Sequence, residues 1–221
     1  MIFHVKYTKG LLNPQQHFSS LREAEGVKGI IWRTVVSALL IGVLTGVSMY
    51  LLSGQMSAEL QAGGLSPDEA AVFTNIISVL NGIFVAGISV IGIVIAALVF
   101  WIFFKDVGFK NLFIIFVYFL PIYVLVMLID LPFIIYFDLE QGISMTSLGF
   151  IAEQIWDHSF FVMFFSQVSL WFIWCFLVQV FALKVNTAKS TRYIVTVTAI
   201  AYVMVMLLMA GISMFGMTQG V

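Results

Sequence analysis

Cysteine and charge are what this sequence has least of. Its 221 residues include one cysteine, Cys175, and only 10% of them are charged, whereas 62% are hydrophobic. A single cysteine excludes an internal disulfide bond. So little charge, at a mean hydropathy of +1.09, lies well outside the range of soluble domains and predicts an integral membrane protein.

The sequence also lacks the motifs of common enzyme classes. It has no H-E-x-x-H, no G-x-S-x-G, no phosphate-binding P-loop and no glycine-rich dinucleotide turn. Glu153, Asp157 and His158 could be written as metal ligands, since an i, i+4 carboxylate pair shares a helix face, but no further ligand is spaced with them. We therefore expect no enzyme activity, no catalytic residue, no metal and no cofactor.

Five long apolar runs separate the polar segments. Each reaches the roughly 20 residues that a helix needs to cross about 30 Å of hydrocarbon, and none alternates as the strands of a membrane barrel do. We predict an all-α membrane protein, a bundle of five transmembrane helices with short interfacial helices. The predicted units are a lead at residues 1–29 and a membrane domain at residues 30–221, with spans at 30–52, 83–104, 111–137, 159–183 and 193–215.

The few basic residues are sorted along the chain. They lie in the lead and the start of the first span, between spans two and three, and between spans four and five. The full set of ten is Lys6, Lys9, Arg22, Lys28, Arg33, Lys105, Lys110, Lys184, Lys189 and Arg192. By the positive-inside rule the N-terminus is cytoplasmic and the C-terminus extracytoplasmic. Compact loops and phenylalanine-rich spans suit a bacterial plasma membrane, and we expect no nucleic-acid partner.

The lead contains the start signal of a short helix. Asn13 is the predicted cap, Pro14 the first helical residue and Gly26 the stop. Phe18 and Leu21, three positions apart, would share one face. We predict that this helix lies on the inner membrane surface, and the alternative is a solvated tail.

Small residues recur every fourth position in two stripes. The stripes are Ala38, Gly42 and Gly46 in the first span, and Ser78, Gly82 and Ala86 at the second. Small residues let helix backbones approach closely in lipid, where no hydrophobic effect drives helices together. We expect packing within the chain, and a homo-oligomer formed through the first stripe is the alternative.

The run from Ser66 through Pro67 to Glu69 is a strong helix start. A helix continuing from there to Phe104 would be about 57 Å long, far more than a bilayer requires. We predict that its first turns project outside the membrane or that it breaks at Asn81 and Gly82.

The third span carries two features that are costly in lipid. Pro121 frees the carbonyl of Val117, and Asp130 is the one acidic residue inside any of the five runs. Asp130 would lie about 28 Å along the helix, at the outer interface, where a carboxylate can meet water. We expect Pro121 to mark a packing kink or, alternatively, a transport site. In the fourth span, Gln167 and Gln179 are predicted to hydrogen-bond between helices.

Two tracts resemble the Yip-domain family, five-pass membrane proteins that include Rab-associated Golgi proteins and many bacterial relatives. Residues 13–23, NPQQHFSSLRE, are similar to the Pro-x-x-x-Phe-x-x-Leu/Ile lead of bacterial members. Residues 108–121 resemble the tract that opens their third span and contains Tyr118 and Pro121. The chain lacks the Gly-Pro signature and the long acidic lead of eukaryotic members, so the resemblance does not extend to Rab binding. It implies a non-catalytic protein that works through partners in the same bilayer.

The function predicted is that of a helper that binds or assembles other integral membrane proteins, such as an ABC transporter complex. The alternative is a small transporter or channel whose path is lined by Tyr118, Pro121, Tyr123 and Gln167. An intramembrane enzyme is a third interpretation, but the sequence offers no nucleophile or metal set for it.

Overall fold

A computed structural model describes residues 1–137, 144, 146–156 and 159–218. Within these residues, four helical segments are long and apolar enough to cross a membrane: Ile30–Leu51, Pro67–Phe103, Phe109–Phe133 and Thr191–Ile212. A shorter apolar helix covers Leu170–Asn186. The chain is therefore an all-α, multi-pass integral membrane protein.

Thirteen elements follow one another along the described part of the chain. In order they are β1 (Ile2–His4), α1 (Tyr7–Leu12), α2 (Pro14–Arg22), β2 (Gly26–Lys28), α3 (Ile30–Leu51), α4 (Ser53–Ala62), α5 (Pro67–Phe103), α6 (Phe109–Val117), α7 (Phe119–Phe137), α8 (Gly149–Ile155), α9 (Ser159–Ser166), α10 (Leu170–Asn186) and α11 (Thr191–Thr218). The predicted first and last spans correspond to α3 and α11.

The start of α5 agrees with the sequence signal. Ser66 and Glu69 form a reciprocal capping box, with the Ser66 backbone N–H donating to Glu69 Oε2 at 2.9 Å. The helix then runs unbroken for 37 residues, about 55 Å. The predicted break at Asn81 and Gly82 is therefore wrong, because Gly82 is used for close packing against α3 and not for a bend.

The third span is interrupted between α6 and α7. Pro121 has no N–H to bond to the carbonyl of Val117, and α6 ends at Val117. The Tyr118 N–H bonds instead to the Ile115 carbonyl at 3.2 Å, three residues back. Pro132, by contrast, lies inside α7 without ending it.

The predicted continuous fourth span is also interrupted, which corrects the sequence interpretation. α9 ends at Ser166 and α10 begins at Leu170, with the Ser169 hydroxyl accepting the Phe172 N–H at 3.2 Å. Ser169 also pairs with Ser147 in an antiparallel bridge. A segment from the preceding loop thus satisfies backbone groups that a continuous helix would have bonded internally.

The predicted helix of the second outer loop is present as α8. Leu148, Ile151, Ile155 and Trp156 are all exposed, as a membrane-facing stripe requires. Glu153 is exposed on the same helix. Asp157 and His158 lie outside the described residues.

The lead differs most from its prediction. Its helix ends at Arg22 and not near Gly26, where β2 begins and pairs in parallel with β1. Phe18 and Leu21 share a face as expected, but they are 0% and 1% exposed and belong to the same hydrophobic core as the spans. The face packs on protein rather than on the membrane surface, because a large apolar surface was available beside it on α6 and α10.

Candidate functional site

The lead meets the third span at Tyr118, the residue at the break between α6 and α7. This side chain is 0% exposed. Its hydroxyl oxygen accepts the Lys6 backbone N–H at 3.2 Å, and His17 Nε2 lies 2.5 Å from the same oxygen. The Tyr118 hydroxyl can donate its proton to Nε2 when His17 is neutral and carries its own proton on Nδ1. We call this set, Lys6, His17 and Tyr118, the lead–span contact.

Electrostatics favour the neutral form of His17. Burial lowers the pKa of His17 to about 4, and the nearby cations Lys9, Lys6 and Arg33 add to the effect. At neutral pH the imidazole is therefore uncharged and can accept a hydrogen bond.

Aromatic packing surrounds the lead–span contact. The rings of Phe18 and Tyr7 meet that of Tyr118 edge-on, with centroids 4.8 and 5.5 Å away. Phe3 of β1 lies 4.8 Å from the His17 ring. Gly10 lets α1 approach this closely, because a Cβ at that position would collide with the Tyr118 ring.

The lead is also tied to α3. Ser37 Oγ donates to the Tyr7 hydroxyl at 3.3 Å, and the Arg33 guanidinium lies 5.7 Å from the centre of the Tyr7 ring. Burial raises the pKa of Tyr7, so this hydroxyl stays protonated.

Two side chains of α10 hold the other flank of the lead. Trp174 Nε1 donates to the Leu11 carbonyl at 3.2 Å, and Asn186 Nδ2 donates to the Phe18 carbonyl at 3.1 Å. Trp174 and Asn186 are twelve residues apart, about 18 Å along the helix. The lead is therefore held along a substantial length of α10.

The loop between α5 and α6 contains Lys105, and the loop between α10 and α11 contains Lys189. These two basic loops meet at the same end of the bundle. Asp106 Oδ2 accepts Thr187 Oγ1 at 2.5 Å and the Ala188 N–H at 3.0 Å. Partial burial alone would raise the pKa of Asp106, but these two hydrogen bonds and nearby Lys189 outweigh it and lower that pKa. The lead and both loops thus form one ordered end. Every Lys and Arg side chain is exposed except that of Arg33, which is half-buried.

The structure brings the two small-residue stripes together. Gly42 and Gly82 are in backbone contact, since a Cβ on Gly42 would lie 2.8 Å from the Gly82 carbonyl oxygen. A Cβ on Gly46 would lie 3.3 Å from the Ser78 carbonyl oxygen, and one on Gly42 would lie 3.0 Å from the Ala86 Cβ. Ala38 is buried.

The remaining candidates lie apart from one another. Asp130 of α7 accepts a hydrogen bond from Ser144 Oγ at 2.8 Å. Pro121 is half-buried just after the lead–span contact, and Gln167 is half-buried in the turn between α9 and α10. Gln179 is buried with both polar side-chain atoms unpaired in the described chain, so the prediction that it bonds a neighbouring helix is wrong.

The lead–span contact is built from one hydrogen-bonded pair, His17 and Tyr118, within an aromatic cluster. No three His, Cys, Asp or Glu side chains cluster to hold a metal within the described ranges. Tyr118 and His17 are held against each other and enclosed by aromatic rings, which favours a structural role.

Sequence reasoning missed His17, Trp174 and Asn186, because their partners lie 101 to 168 residues away and leave no local pattern.

Comparison with known proteins adds no relative to this description. No family model, no characterised protein and no solved structure was found to match the chain.

Proposed function

We propose that this chain is a non-enzymatic membrane protein that binds or assembles other integral membrane proteins, such as subunits of an ABC transporter complex. In this proposal it resides in the plasma membrane of a bacterial cell and belongs with the bacterial branch of the Yip-domain family. The observation that carries the proposal is the lead–span contact. It joins the two tracts on which the resemblance rests, because His17 belongs to the first tract and Tyr118 to the second.

The proposed threading is five membrane crossings, with α9 and α10 together forming the fourth. The N-terminus is cytoplasmic and the C-terminus extracytoplasmic. The meeting of the lead and both basic loops at one end supports this orientation, because nine of the ten Lys and Arg residues lie in those segments or at the helix ends beside them, and the tenth, Arg33, lies in the first turn of α3.

Two surfaces support a partner-binding role. On α5, Leu80, Ile83 and Phe84 are exposed and would face lipid or another membrane helix. At the cytoplasmic end, a groove of about 600 Å³ lies between the start of α2 and α10, lined by Pro14, Gln15 and Phe181 among others. A partner that spans the membrane could contact both.

A homo-oligomer through the glycine stripe has less support. Gly42 and Gly46 already contact α5 of the same chain, so a second copy would have to displace that helix. The transporter alternative also has little support, because Tyr118, one of the residues predicted to line the path, is 0% exposed and enclosed by the lead.

Photo-crosslinking in intact cells tests the proposal. A photoreactive amino acid at exposed Phe84 or Gln15 should give a discrete heavier adduct that contains a membrane transporter subunit. The matched control is the buried Phe104, where the same amino acid should give no intermolecular adduct. Lipid adducts alone at both exposed positions, together with a bare monomer after purification in mild detergent, would overturn the proposal.

A further inference from the structure

Gln179 is the one buried side chain in the described residues that has two polar atoms without a hydrogen-bond partner. It lies on α10, is 0% exposed, and both its Nε2 and its Oε1 have no hydrogen-bond partner in the described residues. An unpaired amide in a lipid-surrounded interior is costly, since no solvent can replace the missing bonds. Such a group calls for a partner that the protein side chains do not supply.

The Thr198 hydroxyl of α11 is a second buried polar group without a hydrogen-bond partner in the described residues, and we call it and the Gln179 amide the two orphans. Thr198 is also 0% exposed. Two buried hydroxyls of α5 bond to their own helix four residues back: Thr74 bonds to Ala70 at 2.7 Å, and Ser78 bonds to Thr74 at 2.8 Å. The Thr198 hydroxyl makes no such bond, so it is available to a group beside the helix.

The two orphans lie at the same level of one helix–helix seam. α10 and α11 form an antiparallel pair joined by residues 187–190, and the Tyr202 ring lies 4.6 Å from Phe172 and 5.4 Å from Phe176. On α10, Gln179 lies three residues after Phe176 and is one turn closer to the loop than Phe176. On α11, Thr198 lies four residues before Tyr202 and is one turn closer to the loop than Tyr202. Gln179 and Thr198 are each seven residues from the loop end of their helix, about 10 Å.

We propose that a water molecule is bound between the Gln179 amide and the Thr198 hydroxyl. A buried water needs two to four polar partners. Gln179 and Thr198 provide donors and acceptors, and the Tyr202 hydroxyl, which is also unpaired, lies one turn further along the same seam. Water bridges polar groups that do not bond directly, which suits two unpaired groups whose helix positions place them at the same level of one seam.

The site is closed toward the cytoplasmic end. Leu183 and Ile194 lie one turn nearer the loop on the two helices, and both are 0% exposed. The bound water is therefore held between α10 and α11 as part of the packing. It joins the two helices of the last hairpin at a level where the Gln179 and Thr198 side chains make no direct bond within the described part of the chain.

A double-variant cycle measures this bridge through thermal unfolding in detergent. With a water shared by both side chains, Gln179→Leu and Thr198→Val should each lower Tm by about 2–4 °C, and the double variant should lose less than the sum. Thr45→Val combined with Gln179→Leu is the matched control, because Thr45 is another unpaired hydroxyl but lies on α3, and its effects should add.

Water-edited solid-state NMR in lipid bilayers reads the site directly. Magnetisation should pass from water to the side-chain nitrogen of Gln179 in the wild type and more weakly in Thr198→Val. If Gln179→Leu raises Tm, if the two effects simply add, or if no transfer reaches Gln179, the proposal is overturned.

Discussion

Gly42 and Gly82 pack backbone against backbone, so closely that a Cβ on Gly82 would lie 2.5 Å from the Gly42 carbonyl oxygen. This contact locks α3 to α5 and explains why both stripes consist of small residues.

Gly82→Ala should therefore destabilise the protein. The added methyl group forces the two helices apart, an overpacking cost of about 1–3 kcal/mol. In a chain of this size, each kcal/mol lowers Tm by about 2–4 °C, which thermal unfolding in detergent measures. Gly87→Ala on the same helix is the control, because a Cβ there meets nothing within 4 Å, and alanine is the better helix former. Equal behaviour of the two variants would contradict the packing argument.

Tyr118→Phe should loosen the lead while leaving the ring packing intact. Without the hydroxyl, the Lys6 N–H and His17 Nε2 lose their shared partner, at a cost of about 1–3 kcal/mol. Trypsin should then cleave the lead faster, at Lys9 or Arg22. Tyr136→Phe is the control, since Tyr136 is 82% exposed and its loss of a hydroxyl should change nothing. Unchanged cleavage in Tyr118→Phe would mean that the aromatic contacts alone hold the lead.

Acidification should release the lead through His17. Its pKa falls from 6.5 to about 4 on folding, chiefly by burial, with Lys9, Lys6 and Arg33 contributing. Between these values the unfolded chain binds a proton that the folded chain does not, so stability rises with pH in that window. The contribution of His17 is complete above about pH 6.5 and is lost as the pH falls toward about 4.

His17→Gln separates this effect from the titration of carboxylates. Its amide can still accept a bond from Tyr118 but does not titrate, so the dependence of Tm on pH, measured by thermal unfolding in detergent, should become shallower between those limits. His4→Gln is the matched control, because His4 is exposed and makes no contact with Tyr118 in the described chain. If both variants keep the pH dependence of the wild type, protonation of His17 does not release the lead.

Cysteine labelling should verify the threading. In a Cys175→Ala background, Ala188→Cys in the second basic loop should react with an impermeant maleimide only from the cytoplasmic side. Gly63→Cys after α4 should react only from the outside, because both positions are exposed and the proposed threading puts their loops on opposite sides of the membrane. Labelling of both from one side would contradict five crossings with the N-terminus inside.

Some elements could be predicted because their cause is local. The start of α5 depends on Ser66 and Glu69, three residues apart, and the interruption of the third span follows from the missing N–H of Pro121. The break before α10 could not be predicted, because Ser169 bonds to a segment some twenty residues earlier. The docking of the lead depends on contacts across more than a hundred residues, which a single sequence does not reveal.

The length of α5 has a consequence for the surrounding lipid. Its apolar part, residues 76–103, is about 42 Å long, against about 30 Å of hydrocarbon in an ordinary bilayer. The mismatch is relieved when the helix tilts or when the membrane thickens around it. Because Gly42 and Gly82 fix α3 to α5, the two helices must tilt together. The length of the lipid acyl chains then sets the tilt angle of this helix pair.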